Sequence, residues 1–308
     1  ELWGRELESQ DVGFTLAPKL NALSRLELGL RPLDILLCED DTKAAELAEQ
    51  VIELNQQRRS LQLELEEKIT SQLHQEELSK PAIVLAAKGH AGIVGLVATK
   101  VSQMTQKPTF IVALGENSEA VGSARGSEKD ILPNALAAAA ESLIRYGGHA
   151  QAAGFSLDGQ KFYQMKAAIL KYYETELPTA TVDSISVAQV VFDLEAEPHE
   201  FDHPFMNWLR HAGPYGADNP SPLFKLKAEE IQKVIWLKGE HLKVVLRGGD
   251  GPIDAMAFFA KDKYPDLTED DLKLGRVRLY VEPSWNYYKG QKRLQFIIRE
   301  LKKEPCKI

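Results

Sequence analysis

Apolar positions recur along the chain with two different periods, and the change between them divides it. Leu47, Val51, Leu54, Leu61, Leu65 and Ile69 step by threes and fours, with no glycine or proline between Asp41 and Lys80. That spacing predicts one long helix from 41 to about 77. At 1.5 Å per residue it would run roughly 55 Å, more than a small domain needs, and a helix of that length is expected to bridge two bodies. Asp40, Asp41 and Thr42 suit its cap and first turn, which explains the Glu39-Asp40-Asp41 triplet better than a metal cluster does.

Between 79 and 178 short apolar runs alternate with helical patterns. Residues 83–87, 109–114 and 120–124 read as strands; helices are expected from near Gly92 and over 133–145, followed by a further strand and a last helix. Such alternation implies a sheet covered by helices. Residues 177–183 read as a linker. From Ser184 onward a period of two takes over, at 243–247, 253–259, 277–281 and 294–298, between glycine-rich turns and with one helix near 203–211. About five short strands of this kind suit an OB-fold barrel.

A chain of 308 residues has room for about two domains. No apolar run approaches the roughly 20 residues that cross a bilayer, and no basic-then-apolar leader opens the sequence, so no membrane role is expected. Cys38 and Cys306 lie at opposite ends and suggest no disulfide framework; a reducing, cytoplasmic setting fits. The net charge of −8 argues at first against a nucleic-acid partner. Its distribution reverses that: residues 39–80 hold eleven acids against five bases, but residues 276–308 hold nine bases against three acids. Opening at Glu1 rather than methionine, the chain is expected to be a piece of a longer protein.

Two segments carry candidate chemistry. Residues 147–154 read GGHAQAAG, a turn with almost no bulk beyond one imidazole. Glycine lets a ligand approach the main-chain N–H groups, and a histidine there can exchange a proton with an anion near neutral pH. The alternative is that Gly147 ends a helix and Ala152, Ala153 and Gly154 begin a tightly packed strand. Residues 285–293, WNYYKGQKR, interleave aromatics with bases, the combination that stacks unpaired nucleobases and holds phosphates; the alternative is a solvated hairpin packed on its own barrel. His199, Glu200, Asp202 and His203 have the residue types of a metal site but read as a surface loop.

With its neighbours Phe155-Ser156-Leu157, GGHAQAAG resembles the signature of the DHHA1 domain of the DHH phosphoesterases. Further segments resemble the RecJ-like single-strand-specific exonucleases of that superfamily: residues 13–26, 54–62 (LNQQRRSLQ), 89–100, 122–126 (GSARG) and 213–224, in the family's order. The resemblance implies an α/β DHHA1 domain, a long connecting helix and a C-terminal β-barrel of the OB-fold. It places the tail of a DHH domain at 1–40, the connecting helix at 41–78, the DHHA1 domain at 79–178 and the nucleic-acid-binding OB-fold at 184–302.

By the same resemblance His149, with Gly147 and Gly148, and Arg125, with Ser123, are expected to meet the substrate phosphate. Asn21, Arg25 and His90 are expected to face nucleic acid, although helix capping serves His90 equally well. Leu23-Ser24 departs from the family pattern. Trp285, Tyr287, Tyr288, Lys289, Lys292 and Arg293 are the expected strand-binding residues of the barrel. The family's two-metal centre comes from a DHH domain whose aspartate- and histidine-rich motifs are missing here, so Mn2+ or Mg2+ is expected in a parent enzyme and no metal on this chain alone.

The implied function is the C-terminal part of a 5′→3′ single-stranded-DNA exonuclease in repair and recombination, inactive alone, with single-stranded DNA and a single-strand-binding protein or helicase as partners. A catalytically dead scaffold in replication would not need Arg125 and His149. A nano-RNA phosphodiesterase of the superfamily would share GGHAQAAG but lack the barrel.

Overall fold

The structure is a computed structural model, and it describes residues 7, 9–26, 31–115, 118–175, 190–226, 231–288 and 291–303. The linker read at 177–183, Cys306 and the boundaries at 178 and 184 lie outside them. The chain divides into two units, Glu1–Ser184 and Ile185–Ile308.

In the first unit, after short helical turns at Ser9–Asp11 and Val12–Leu16, helix α1 (Ala17–Leu26) packs on the long helix α2 (Asp41–Thr70). Asp40 caps α2 by accepting a hydrogen bond from the Lys43 N–H (2.9 Å). The helix stops at Thr70, short of the expected 77, and a separate helix α3 (Gln75–Ser79) follows. Side chains end it rather than glycine or proline. Thr70 and Ser71 hydroxyls and the Gln72 amide bond back to the carbonyls of Glu66, Glu67 and Lys68, competing with further helical bonds.

Beyond α3 come β1 (Ile83–Lys88), α4 (Val94–Thr105), β2 (Thr109–Leu114), β3 (Glu119–Arg125), α5 (Leu132–Ala138), β4 (Leu143–His149), β5 (Ala152–Asp158) and α6 (Phe162–Thr175). The strands lie in the order β1-β2-β3-β5-β4, with β1 and β2 parallel and the other pairs antiparallel. One face packs on α5 and α6 through Phe110, Val112, Ala124, Phe155 and Leu157. The other packs on α4 and the end of α2 through Ile83, Leu85, Ile111, Leu65 and Ile69.

The helix expected over 133–145 ends at Ala138, and Leu143 to His149 form an edge strand instead. The alanine-rich run reads as helix locally, but Arg145, Tyr146 and the residues after them gain a ladder against β5, with its register shifted at Ile144. Gly147 is therefore a strand residue, not a helix terminator, and GGHAQAAG is a β-hairpin turning at Ala150-Gln151.

Glu77 on α3 ties this unit together by accepting hydrogen bonds from Lys80 (2.5 Å) and from Lys166 of α6 (3.0 Å). Burial alone would raise its pKa; the bonds from Lys80 and Lys166 outweigh that, and the carboxyl titrates below its ordinary value. A carboxyl lowered by folding stabilises the native state above its unfolded pKa of about 4.3 and loses that contribution as pH falls through the folded value. Glu77→Gln is thus expected to cost roughly 2 kcal/mol in urea unfolding at neutral pH and to show a shallower loss of stability below about pH 4 than wild type.

The second unit contains β6 (Leu194–Ala196), α7 (His203–His211), β7 (Phe224–Leu226), β8 (Ile231–Leu237), β9 (His241–Arg247), β10 (Pro252–Ala257), α8 (Glu269–Lys273), β11 (Val277–Tyr288) and β12 (Gln291–Lys303). Their order is β6-β7-β11-β12-β10-β9-β8, with β10 parallel to β12. This is the OB-type sheet, coiled around Leu242, Val244, Leu279, Val281 and Phe296. Among the described residues no ladder joins its two edges, so the barrel stays open. Phe201 plugs it, edge-on to Phe296 (4.8 Å) and Phe224 (5.1 Å).

Candidate phosphate-binding face

Strand register decides where the site residues point. Ala152 of β5 pairs with Arg125 of β3 on one side and with His149 of β4 on the other. Directly opposed residues of antiparallel strands share a face, so the guanidinium and imidazole flank Ala152 on one side of the sheet. Two strand spacings put their Cα atoms roughly 10 Å apart. The next row on that face is Ser123, Gly154 and Gly147. Helix α4 packs on β2 and β3, and past it Gly154, Gly147 and His149 are exposed. Open space lies above both glycines, since a Cβ built on either would touch nothing. A flat floor of glycine and alanine thus runs between a fixed cation and a histidine.

Arg125 is half-buried. Its Nη1 donates to the Ser123 hydroxyl (2.7 Å) and to the Ala124 carbonyl (2.7 Å). The Ser123 hydroxyl in turn donates to the Ala153 carbonyl (3.4 Å), so it orients the arginine and its proton is already committed. Residues 122–125 of GSARG lie on strand β3, with Gly126 just beyond it. Burial, and then the positive charge of Arg25, lower the pKa of Arg125, which nonetheless stays a cation. On the same face Ser156, paired with Arg145, is buried with its hydroxyl unpartnered among the described residues.

Arg25 reaches this region from α1. Its Nη1 donates to the Gly92 carbonyl (3.2 Å), and its own carbonyl lies so close to Gly92 that only a glycine fits there. Asn21 is one turn earlier on the same helix face and exposed. Leu23 is buried beside it and Ser24 exposed, so the departure from the family pattern leaves α1 helical. His90 precedes α4 and accepts the Gly92 N–H on Nδ1 (3.1 Å), so it acts as a cap with one ring nitrogen engaged.

The aromatic-basic segment forms the β11–β12 hairpin. Trp285 and Tyr287 lie on one face, and Lys292 covers both rings, at 4.4 and 5.8 Å. His203 stacks obliquely on Trp285 (4.9 Å). Arg293 pairs in register with Asn286, on the opposite face, and donates to Gln291. A cleft of about 500 Å³ opens here between His203, Asp254, Trp285, Lys292 and Arg293. Lys289 lies outside the described residues, and Tyr288 is described by its backbone alone. Asp202 caps α7 through the Phe205 N–H (2.8 Å). Among the described residues no group of three or more His, Cys, Asp or Glu side chains is placed to hold a metal, and no helix is long and apolar enough to cross a membrane.

Family resemblance points to Arg125, His149 and Arg25 as expected site residues and assigns LNQQRRSLQ no role. Its Arg58 stands on α2, the helix on which Arg25's own helix α1 packs. The signal was available: Asn55, Arg58, Gln62 and Glu66 form one polar stripe at helical spacing.

The DHHA1 domain model matches residues 79–175 and the RecJ OB domain model residues 192–300. A DHHA1 domain followed by a RecJ OB domain defines the class, a member of the DHH/DHHA1 superfamily. Over 240 residues the chain is 33% identical to the single-stranded-DNA-specific exonuclease RecJ of Thermus thermophilus, covering 77% of this chain and 34% of that protein. Crystal structures of RecJ from the same organism with Mn2+ and with Mg2+ match with TM-scores of 0.75 and 0.74, at 27% and 29% identity. Each match covers 98% of this chain, and 43% and 45% of those chains respectively. The chain belongs to the RecJ family, and it spans about a third to a half of the length of the curated relatives it matches.

Proposed function

We propose that this chain is the strand-holding part of a RecJ-type 5′→3′ single-stranded-DNA exonuclease. The observation that supports it best is the face on which Arg125 and His149 flank Ala152 above open glycines. A sugar–phosphate backbone can lie on that floor because no side chain rises from it. Arg125 offers its remaining N–H groups as a two-point fork to phosphate oxygens, with Arg25 adding charge. His149 supplies a ring N–H from the far side, at a position able to move a proton. In the OB unit Trp285 and Tyr287 stack bases once Lys292 swings from their faces to a phosphate, with Arg293 beside it.

RecJ structures from Thermus thermophilus carry Mn2+ or Mg2+. Such an ion supplies an activated water when bound. The described residues form no site for one, so no step of this reading passes through it.

Anisotropy of a labelled oligothymidylate tests the reading. The chain is expected to bind single strands in preference to duplex competitor and, incubated with Mn2+, to leave them intact. Arg125→Ala is expected to weaken binding about tenfold, the worth of one charge-assisted contact. Its log–log salt slope should fall by about 0.7. Unchanged affinity in that variant, or robust degradation by the wild-type chain, overturns it.

A further inference from the structure

On helix α2 the side chains of Asn55, Arg58, Gln62 and Glu66 are joined end to end. Arg58 Nε donates to Asn55 Oδ1 (3.2 Å) and Nη1 to Gln62 Oε1 (2.9 Å); Gln62 Nε2 donates to Glu66 Oε1 (2.8 Å). Lys100 of α4 donates to the remaining Glu66 oxygen (2.7 Å). Both ends of the stripe are fixed, Asn55 and Glu66 each being only 6% exposed. The network therefore holds Arg58 in one rotamer, and it does so with two amide oxygens rather than a carboxylate. Its single carboxylate is engaged by Gln62 and Lys100, so nothing in the ladder neutralises Arg58.

That choice is expensive if bracing is the only role. A carboxylate at position 55 or 62 would hold the guanidinium roughly twice as strongly as an amide does. Arg58 also stands near Arg25, whose own side chain bonds a backbone carbonyl. Among the described residues none of Arg25, Arg58 and Arg125 has an ion pair with a carboxylate. Positive groups gathered and left unpaired cost free energy until an anion arrives. Arg25 lies on α1, which packs on α2, and donates to Gly92 just before α4, while Arg125 lies against Gly95 in the first turn of α4. Arg25 and Arg125 thus border the start of α4, and Arg58 stands on the helix against which α1 packs.

We propose that Arg58 is a third phosphate-binding guanidinium, extending the Arg125–Arg25 pair into a row that holds two consecutive phosphates of a single strand. Asn55 and Gln62 are its positioning residues. The inference rests on the phosphate face proposed above and adds the direction in which the strand leaves it, along α2.

The test compares oligothymidylate binding by Arg58→Ala, Arg58→Gln, Arg58→Lys, Arg59→Ala and Arg125→Ala in the full chain, each across a salt series, with melting temperatures beside. Arg58→Ala and Arg58→Gln are expected to bind about five- to tenfold more weakly and to lose about 0.7 from the salt slope, one phosphate contact. Arg58→Lys should regain the slope and part of the affinity, because a lysine keeps the charge but not the fork. Arg59→Ala, exposed on the next position, should stay within twofold. Should Arg58→Ala misfold, Arg58→Gln and Arg58→Lys decide between charge and bracing. Wild-type affinity and slope in Arg58→Gln, while Arg125→Ala weakens binding, would overturn the role of Arg58 alone. If Arg125→Ala also binds like wild type, the face itself is wrong and both readings fall.

Discussion

Gly92→Ala is expected to be the most damaging single-methyl change in the first unit. A Cβ at position 92 would overlap the carbonyl oxygen and carbon of Arg25, backbone atoms of another helix that no rotamer change can move. Relief requires α1 to lift away from the start of α4. That breaks the Arg25–Gly92 hydrogen bond and loosens Leu26, which packs among Leu65, Ile93 and Val97. Overpacking with no route of escape costs on the order of 3 kcal/mol or more. Because Arg25 moves with α1, single-strand affinity should fall together with the melting temperature. Gly95→Ala provides the contrast: its Cβ would meet Arg125 Nη2 at 3.0 Å and Ser123 Oγ at 3.4 Å, the far end of a flexible side chain. It is expected to keep a near-wild-type melting temperature while weakening binding. Equal melting temperatures for Gly92→Ala and wild type would show that α1 does not rest on Gly92.

These glycines mark the limit of what sequence reading reaches. Strand β2 and helix α7 coincide with the apolar runs that predict them, because each pattern is complete within a few residues. Helix α2 begins where its acidic cap suggests, yet stops early, since Thr70, Ser71 and Gln72 end it through side-chain bonds and not through a residue that punctuates chains by itself. Residues 143–149 carry a local bias toward continuing the helix, and only the partner strand, later in the chain, makes them β. Strand β8 escapes notice because both of its faces are partly exposed and no clean alternation results. GSARG and GGHAQAAG stand out as motifs, but their facing each other across Ala152 is a property of strand order. Arg58 is the opposite case: its polar stripe is visible along the helix, and only its proximity to Arg25 gives it a meaning.

The hairpin itself yields the sharpest separation of fold from function. Gly148 has φ near +150°, a region costly for any residue with a side chain. Its Cβ would drive into the Ala152 carbonyl and the Cα of Ala153, the residue it pairs with. Gly148→Ala is therefore expected to pry β4 from β5, costing roughly 3 kcal/mol from backbone strain and overlap together. His149, next to it, should lose its place opposite Arg125, and binding should fall with stability. Gly147 differs in both respects: its φ is ordinary for a strand, and a Cβ there meets nothing. Gly147→Ala should leave the melting temperature unchanged or slightly raised, because it removes freedom from the unfolded chain at a compatible site. Its methyl, however, rises from the floor next to His149 and across Gly154 from Ser123, where the strand is proposed to lie. A stable Gly147→Ala protein with weakened oligothymidylate binding would mark this face as the one that meets DNA. One that binds as tightly as wild type would move the strand to another surface.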